Sequence, residues 1–89
     1  MEPVDDLISV GRINKPHGLK GEIELSVTTD FPERFKPKVS FLLSPPVDDL
    51  NKVNIEGVKS KKNVLIIKFK EINDRDAAES LKGHYLAIK

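Results

Sequence analysis

Apolar and polar residues trade places most regularly between Glu22 and Thr28. There Ile23, Leu25 and Val27 fall on one side of an extended chain, and Glu22, Glu24 and Ser26 on the other. A period of two is the signature of a strand with one buried and one wet face. Upstream, Leu7 to Ile13 alternates poorly but is rich in β-formers, with Ile8 and Val10 on one side and Leu7 and Ile13 on the other, and it predicts a first strand. Thr29 to Pro37 carries two prolines and no periodicity, so it reads as a loop in which Phe31 and Phe35 lie back over an open end of the sheet. Val39 to Leu43 predicts a third strand, stopped by Ser44-Pro45-Pro46 because proline has no N–H for a ladder and restrains the residue before it. Pro45 to Asn51 is then loop. Lys52–Lys59 and Asn63–Lys70 flank the polar connector Ser60-Lys61-Lys62, whose length predicts an antiparallel hairpin. In the second of these strands Leu65, Ile67 and Phe69 share a face, while Val64 and Ile66 are apolar too, so both faces are expected to be partly covered.

After Asn73 the period changes. Ala77, Ala78 and Leu81 form a short helical stripe, Asp74 can cap its N-terminus, and Gly83 sits where a left-handed C-terminal cap belongs. Tyr85, Ala87 and Ile88 supply a last strand. Six strands and one short helix in 89 residues lack the helices to cover a sheet, and such a sheet avoids exposed edges by closing on itself. The predicted fold is all-β with one short helix, a six-stranded antiparallel β-barrel.

Composition narrows the partners rather than the fold. The chain is one domain by length, with 15 basic against 14 acidic residues and a formal charge of +1, so no global field draws it to nucleic acid and any electrostatic recognition must be local. It has no cysteine and only two histidines, His17 and His84, which argues against a disulfide framework or a thiolate metal site. The run Met1-Glu2-Pro3-Val4-Asp5-Asp6 is acidic where a signal peptide is basic, and no apolar run approaches the roughly 20 residues that cross a bilayer. The expectation is a soluble, cytoplasmic, unprocessed protein without a membrane partner.

The chemistry concentrates between Gly11 and Glu22. Gly11, Gly18, Gly21 and Pro16 punctuate a segment that presents Arg12, Lys15, His17 and Lys20 and holds no acid before Glu22. Gly18 and Gly21 are expected to mark positive-φ turn positions, and the cations suit a phosphate or an acidic surface. The same residues also fit a structural turn solvated by lysines. His17, held between Pro16 and Gly18, is placed to hydrogen-bond either a strand backbone or a partner. A second basic cluster, Lys59, Lys61 and Lys62, continues to Lys68 and Lys70 with no acid from Gly57 to Phe69; its alternative role is to deter edge pairing and keep the protein soluble. Gly18-x-x-Gly21 lacks the helix start that a phosphate loop needs. No nucleophile elbow or triad is visible, and the carboxylate pairs Asp5-Asp6, Asp48-Asp49 and Asp74/Asp76 lie in a terminus, a loop and a helix cap. We therefore expect no catalytic residue, metal, cofactor or small-molecule substrate. Tyr85 and four phenylalanines are too few, after the core is filled, to stack single-stranded bases.

Gly11-Arg12-Ile13, then Pro16-His17-Gly18-Leu19-Lys20-Gly21-Glu22, then Thr29-Asp30-Phe31-Pro32-Glu33-Arg34-Phe35, and finally Asn73 to Gly83 stand in an order that resembles the N-terminal domain of the RimM ribosome maturation factors. The resemblance runs through nearly the whole chain. It implies a barrel of the translation-factor type and a non-catalytic, chaperone-like role in 30S assembly and 16S rRNA processing. The implied partners are a head-region protein of the small ribosomal subunit and 16S rRNA, bound by a monomer. It carries Gly11, His17, Gly18, Gly21 and Glu22 over as family loop residues, Glu22 being equally an outward strand residue; Arg12, Lys15 and Lys20 are inferred beside them as contact charges. It also implies that residues 1–89 form an N-terminal domain lacking the family's second barrel; a naturally single-domain relative is the alternative. The competing functional reading is a generic RNA-binding β-barrel.

Overall fold

A computed structural model describes residues 7–30 and 32–88. The elements in chain order are β1 (Ile8–His17), β2 (Glu22–Val27), a single 3-10 turn (Pro32–Arg34), β3 (Ser40–Val47), β4 (Leu50–Lys61), β5 (Val64–Phe69), α1 (Arg75–Glu79) and β6 (Tyr85–Ile88). All ladders are antiparallel, and they close in the order β1-β2-β5-β4-β3-β6. This is the closed six-stranded barrel that the patterning predicts. Its interior is filled by Val10, Ile13, Ile23, Leu25, Phe41, Leu43, Val53, Ile55, Ile67, Phe69 and Leu86, to which Phe35, Ile72, Ala78 and Leu81 add cover from the loops and the helix. Phe35 stacks on Phe41 with ring centroids 5.1 Å apart, as a loop aromatic seeking cover should. Its expected companion Phe31 lies outside the described residues.

Where alternation is clean, prediction and structure agree: Ile23 and Leu25 are fully buried and Val27 is half-buried. β1 departs from it. Register shifts between Ser9 and Gly11 against β6, and between Ile13 and Lys15 against β2, reset the pleat twice. Val10 and Ile13 therefore both join the core, while Ile8 is 59% exposed and Leu7 precedes the strand. The two-sided assignment of Leu7 to Ile13 is corrected accordingly. β1 also runs on to His17, through Lys15↔Glu24, Pro16↔Ile23 and His17↔Glu22. Proline is tolerated there because β6 accompanies β1 only from Ile8 to Arg12, leaving Pro16 with a strand on one side.

A second correction concerns Pro45 and Pro46, which do not stop β3. Its ladder to β4 skips from Leu42↔Lys52 to Val47↔Leu50, so the prolines stand where no ladder bond to β4 is required. On the other side Ser44 still pairs with Tyr85, and the Pro45 carbonyl is bonded by His84 Nδ1 at 2.7 Å. The expected loop of residues 45–51 shrinks to a turn at Asp48-Asp49, with Asp48 at φ 52°. β4 is longer than expected because it serves two neighbours. It pairs with β3 from Leu50 to Asn54 and with β5 from Ile55 to Lys61, bending at a register shift between Ile55 and Gly57. The hairpin turn between β4 and β5 is Lys62-Asn63, with Lys62 at φ 45°.

At the bend Asn54 acts as a brace. Its backbone N–H and side-chain amide donate to the Glu71 carboxylate at 2.9 and 2.5 Å, while its side-chain oxygen accepts from Ser40 Oγ at 2.6 Å. The short helix begins as predicted, with Asp74 Oδ1 accepting from Ala77 N at 2.8 Å and Ala78 and Leu81 fully buried. It ends earlier than the Gly83 signal suggested. Tight turns intervene, and Gly83, at φ 85°, donates its N–H to the Ile13 carbonyl at 2.8 Å, tying the helical segment to β1. Among the described residues no helix is long and apolar enough to cross a membrane.

Candidate cationic interface

β1, β2, β5 and β4 are consecutive in the barrel, and their outward positions line up across the sheet. Lys15, Glu24, Ile66 and Lys59 stand side by side in one row. The next outward positions in the direction of the β4–β5 turn are Arg12, opposite Ser26, and Lys61, opposite Val64. The two basic clusters, which the sequence presents as a loop and a separate hairpin tip, thus share one face. Lys62 extends it at the turn.

The sequence describes Gly11 to Glu22 as one loop; the structure divides it. Arg12, Lys15 and His17 belong to β1, and only Gly18 to Gly21 turn. The segment is free of acid along the chain but not in space, because β2 sets Glu24 beside Lys15 and Glu22 beside His17. Glu22 also meets Lys59 at 3.7 Å, and Glu24 accepts from Asn14 Nδ2 at 3.3 Å. Asn14 sits at the β1 irregularity, donates to Ser26 Oγ at 2.7 Å and accepts from Arg12 Nη1 at 3.3 Å, so it steers the guanidinium. The wet face of β2 carried this information: its period-two pattern already placed Glu22 and Glu24 outward. Among the described residues Lys15, Lys20, Lys61 and Lys62 form no salt bridge. Lys68 differs, since its ammonium donates to the Phe69 carbonyl at 2.6 Å and Asn73 Oδ1 at 3.0 Å and lies 3.3 Å from Glu56. It braces the end of β5. Ile66 faces outward yet is only 3% exposed. The methylene stems of its cross-strand neighbours Glu24 and Lys59 are placed to cover it.

The β1–β2 turn is fixed from below. Gly18 and Gly21 adopt φ 81° and 97°, as expected from their places in the sequence. A methyl at Gly21 would lie 2.5 Å from the Ile72 carbonyl oxygen and 3.0 Å from the Asp74 nitrogen, whereas one at Gly18 would meet open space. Gly21 is thus seated on the segment before α1, and Leu19 and Lys20 stand out between the glycines, Leu19 being 76% exposed. Of the two roles open to His17, the hydrogen bond to a strand backbone is not made: its half-buried imidazole has no hydrogen-bond partner among the described residues. His84, the other histidine, is the one that holds a backbone carbonyl.

Sequence reasoning missed one further grouping. Asp48 and Asp49 of the β3–β4 turn and Asp74 and Asp76 of the helix start gather around an open depression shared with Val47, Leu50 and Ile72. Their separation along the chain hid it.

The family model described as the RimM N-terminal domain matches residues 8–89. The ribosome maturation factor RimM of Desulforamulus reducens is 43% identical over 86 residues, a match that spans 94% of this chain and 49% of that protein. The RimM of Renibacterium salmoninarum is 40% identical over 83 residues, 92% of this chain and 46% of its own length. The chain therefore spans about half the length of these curated relatives. Among solved structures, a putative 16S ribosomal RNA processing protein RimM from Pseudomonas aeruginosa superposes with a TM-score of 0.80 at 23% identity, over 94% of this chain and 51% of that one. The solution structure of the N-terminal domain of RimM from Thermus thermophilus gives a TM-score of 0.71 at 20% identity, covering 94% of this chain and 89% of the domain.

Proposed function

Since the chain belongs to the RimM N-terminal domain family, we propose that it works in maturation of the small ribosomal subunit, as a cytoplasmic, monomeric and non-catalytic binding domain. Its partners are the subunit head, through a ribosomal protein, and 16S rRNA. It is the N-terminal unit of a longer factor whose second domain lies beyond these residues. The observation that supports a binding role is the alignment of Arg12, Lys15, Lys59 and Lys61 on one outer face of a closed barrel. The barrel fixes the spacing of these charges, and two carboxylates interleaved among them hold side chains in place, so charge-assisted contacts to rRNA phosphates position the domain without base readout. Lys20 and the turn between Gly18 and Gly21 border that contact, and His17 stands at its edge as a spare donor.

Binding to purified 30S subunits as a function of salt tests this reading. Lys15→Glu and Lys61→Glu should each weaken binding and lower the salt slope by about one, with little change in the melting curve. Binding that ignores salt in the wild-type chain overturns the electrostatic contact. Equal affinity for protein-free RNA and for subunits would instead mark a general RNA-binding barrel.

A further inference from the structure

Leu19 has no part in the core and lies outside the cationic face, yet the turn that carries it is anchored to the fold at Gly21. It occupies the β1–β2 turn, 76% exposed, between two glycines in the left-handed region. One of them is seated on the backbone of Ile72 and Asp74, and the His17↔Glu22 pair closes the strands immediately below. An apolar side chain on a pre-ordered turn loses little freedom on binding. Lys20 beside it forms no salt bridge among the described residues, and neither does Lys15.

We infer that Leu19 is an apolar anchor that enters a pocket on a protein of the small subunit, an apolar pocket with an acidic rim that Lys20 meets. The inference rests on the subunit-binding reading and adds a protein contact to the RNA contact of the neighbouring face. A protein pocket is favoured over RNA because an aliphatic side chain has neither a π-face for a base nor a donor for a phosphate, and gains most by leaving water for an apolar site. The flanking cations set the sign of the rim. The domain then bridges two classes of macromolecule: Arg12, Lys15, Lys59 and Lys61 face rRNA, and the turn that carries Leu19 and Lys20 faces protein.

Leu19→Ala, compared with Lys15→Glu in binding to purified 30S subunits and to protein-free 16S rRNA, tests the anchor. Leu19→Ala is expected to weaken subunit binding about tenfold to a hundredfold, by the same factor at low and high salt. Its salt slope, its melting curve and its affinity for protein-free rRNA should match the wild type. Lys15→Glu should instead change the slope and weaken both complexes. Unchanged subunit binding by Leu19→Ala overturns the anchor while leaving the subunit reading intact. An equal loss on protein-free rRNA shows that the leucine faces RNA, which overturns it as well. A wild-type chain that fails to bind 30S subunits at any salt sinks both.

Discussion

Gly18 and Gly21 share a sign of φ but not a neighbourhood, and the difference is measurable. At Gly18 an added methyl is strained only by the backbone, so Gly18→Ala should cost about 1 kcal/mol in urea denaturation. At Gly21 the same methyl also meets the Ile72 carbonyl, which has no flexible end to swing aside. Gly21→Ala should therefore cost on the order of 3 kcal/mol or more. Equal losses would mean that the turn does not rest on the segment before the helix. The sequence announces both positive angles, since only glycine takes them freely, but not the seat, because Ile72 lies far along the chain. The candidate site was legible to the same degree. Lys15, Lys59 and Lys61 are visible as cations, whereas Glu24 as the neighbour of Lys15 becomes visible only once the β1 register is known.

The elements were readable where a strand's own alternation decides its fate, and obscure where a neighbour decides it. β2 shows its two faces plainly; β3 passes through Pro45 and Pro46 because its ladder to β4 happens to be interrupted there. The prolines announce a missing donor, but nothing in the composition of β3 shows that the strand resumes its pairing at Val47. The bend in β4 depends likewise on the brace between Asn54 and Glu71, which gives it a pH dependence. Partial burial pushes the Glu71 carboxyl up, but hydrogen bonds from the Asn54 backbone and side chain, from its own backbone, and the nearby Lys70 charge outweigh it, leaving the group below the ordinary glutamate range. A carboxyl depressed in the folded state stabilises fully above its unfolded value, and that contribution drains away as pH falls toward the lower folded value. Chemical denaturation across acid pH should show this loss, and Glu71→Gln should flatten that part of the curve while lowering stability at neutral pH. An unchanged acid limb would show that the brace does not titrate with folding.

For the molecule as a whole, closure depends on the shortest strand. β6 pairs with both β1 and β3 and supplies the fully buried Leu86. A chain ending at Gly83 should therefore lose its cooperative melting transition and the wide amide dispersion of its NMR spectrum. Retention of both would show that five strands suffice. The formal charge of +1 also conceals a layout: the cations of β1 and β4 share one outer face with only Glu22 and Glu24 of β2 between them, and the aspartates of the β3–β4 turn and helix start gather elsewhere. Such a separation orients approach to a polyanion more than it strengthens the final grip. Because the ring of strands returns to its start, no strand presents a whole free edge, and stretches paired on one side only, such as β1 beyond Arg12, are short. A visiting polypeptide cannot enlist as a seventh member, so recognition falls to groups that project from the wall, and each can be exchanged without unpicking the ring.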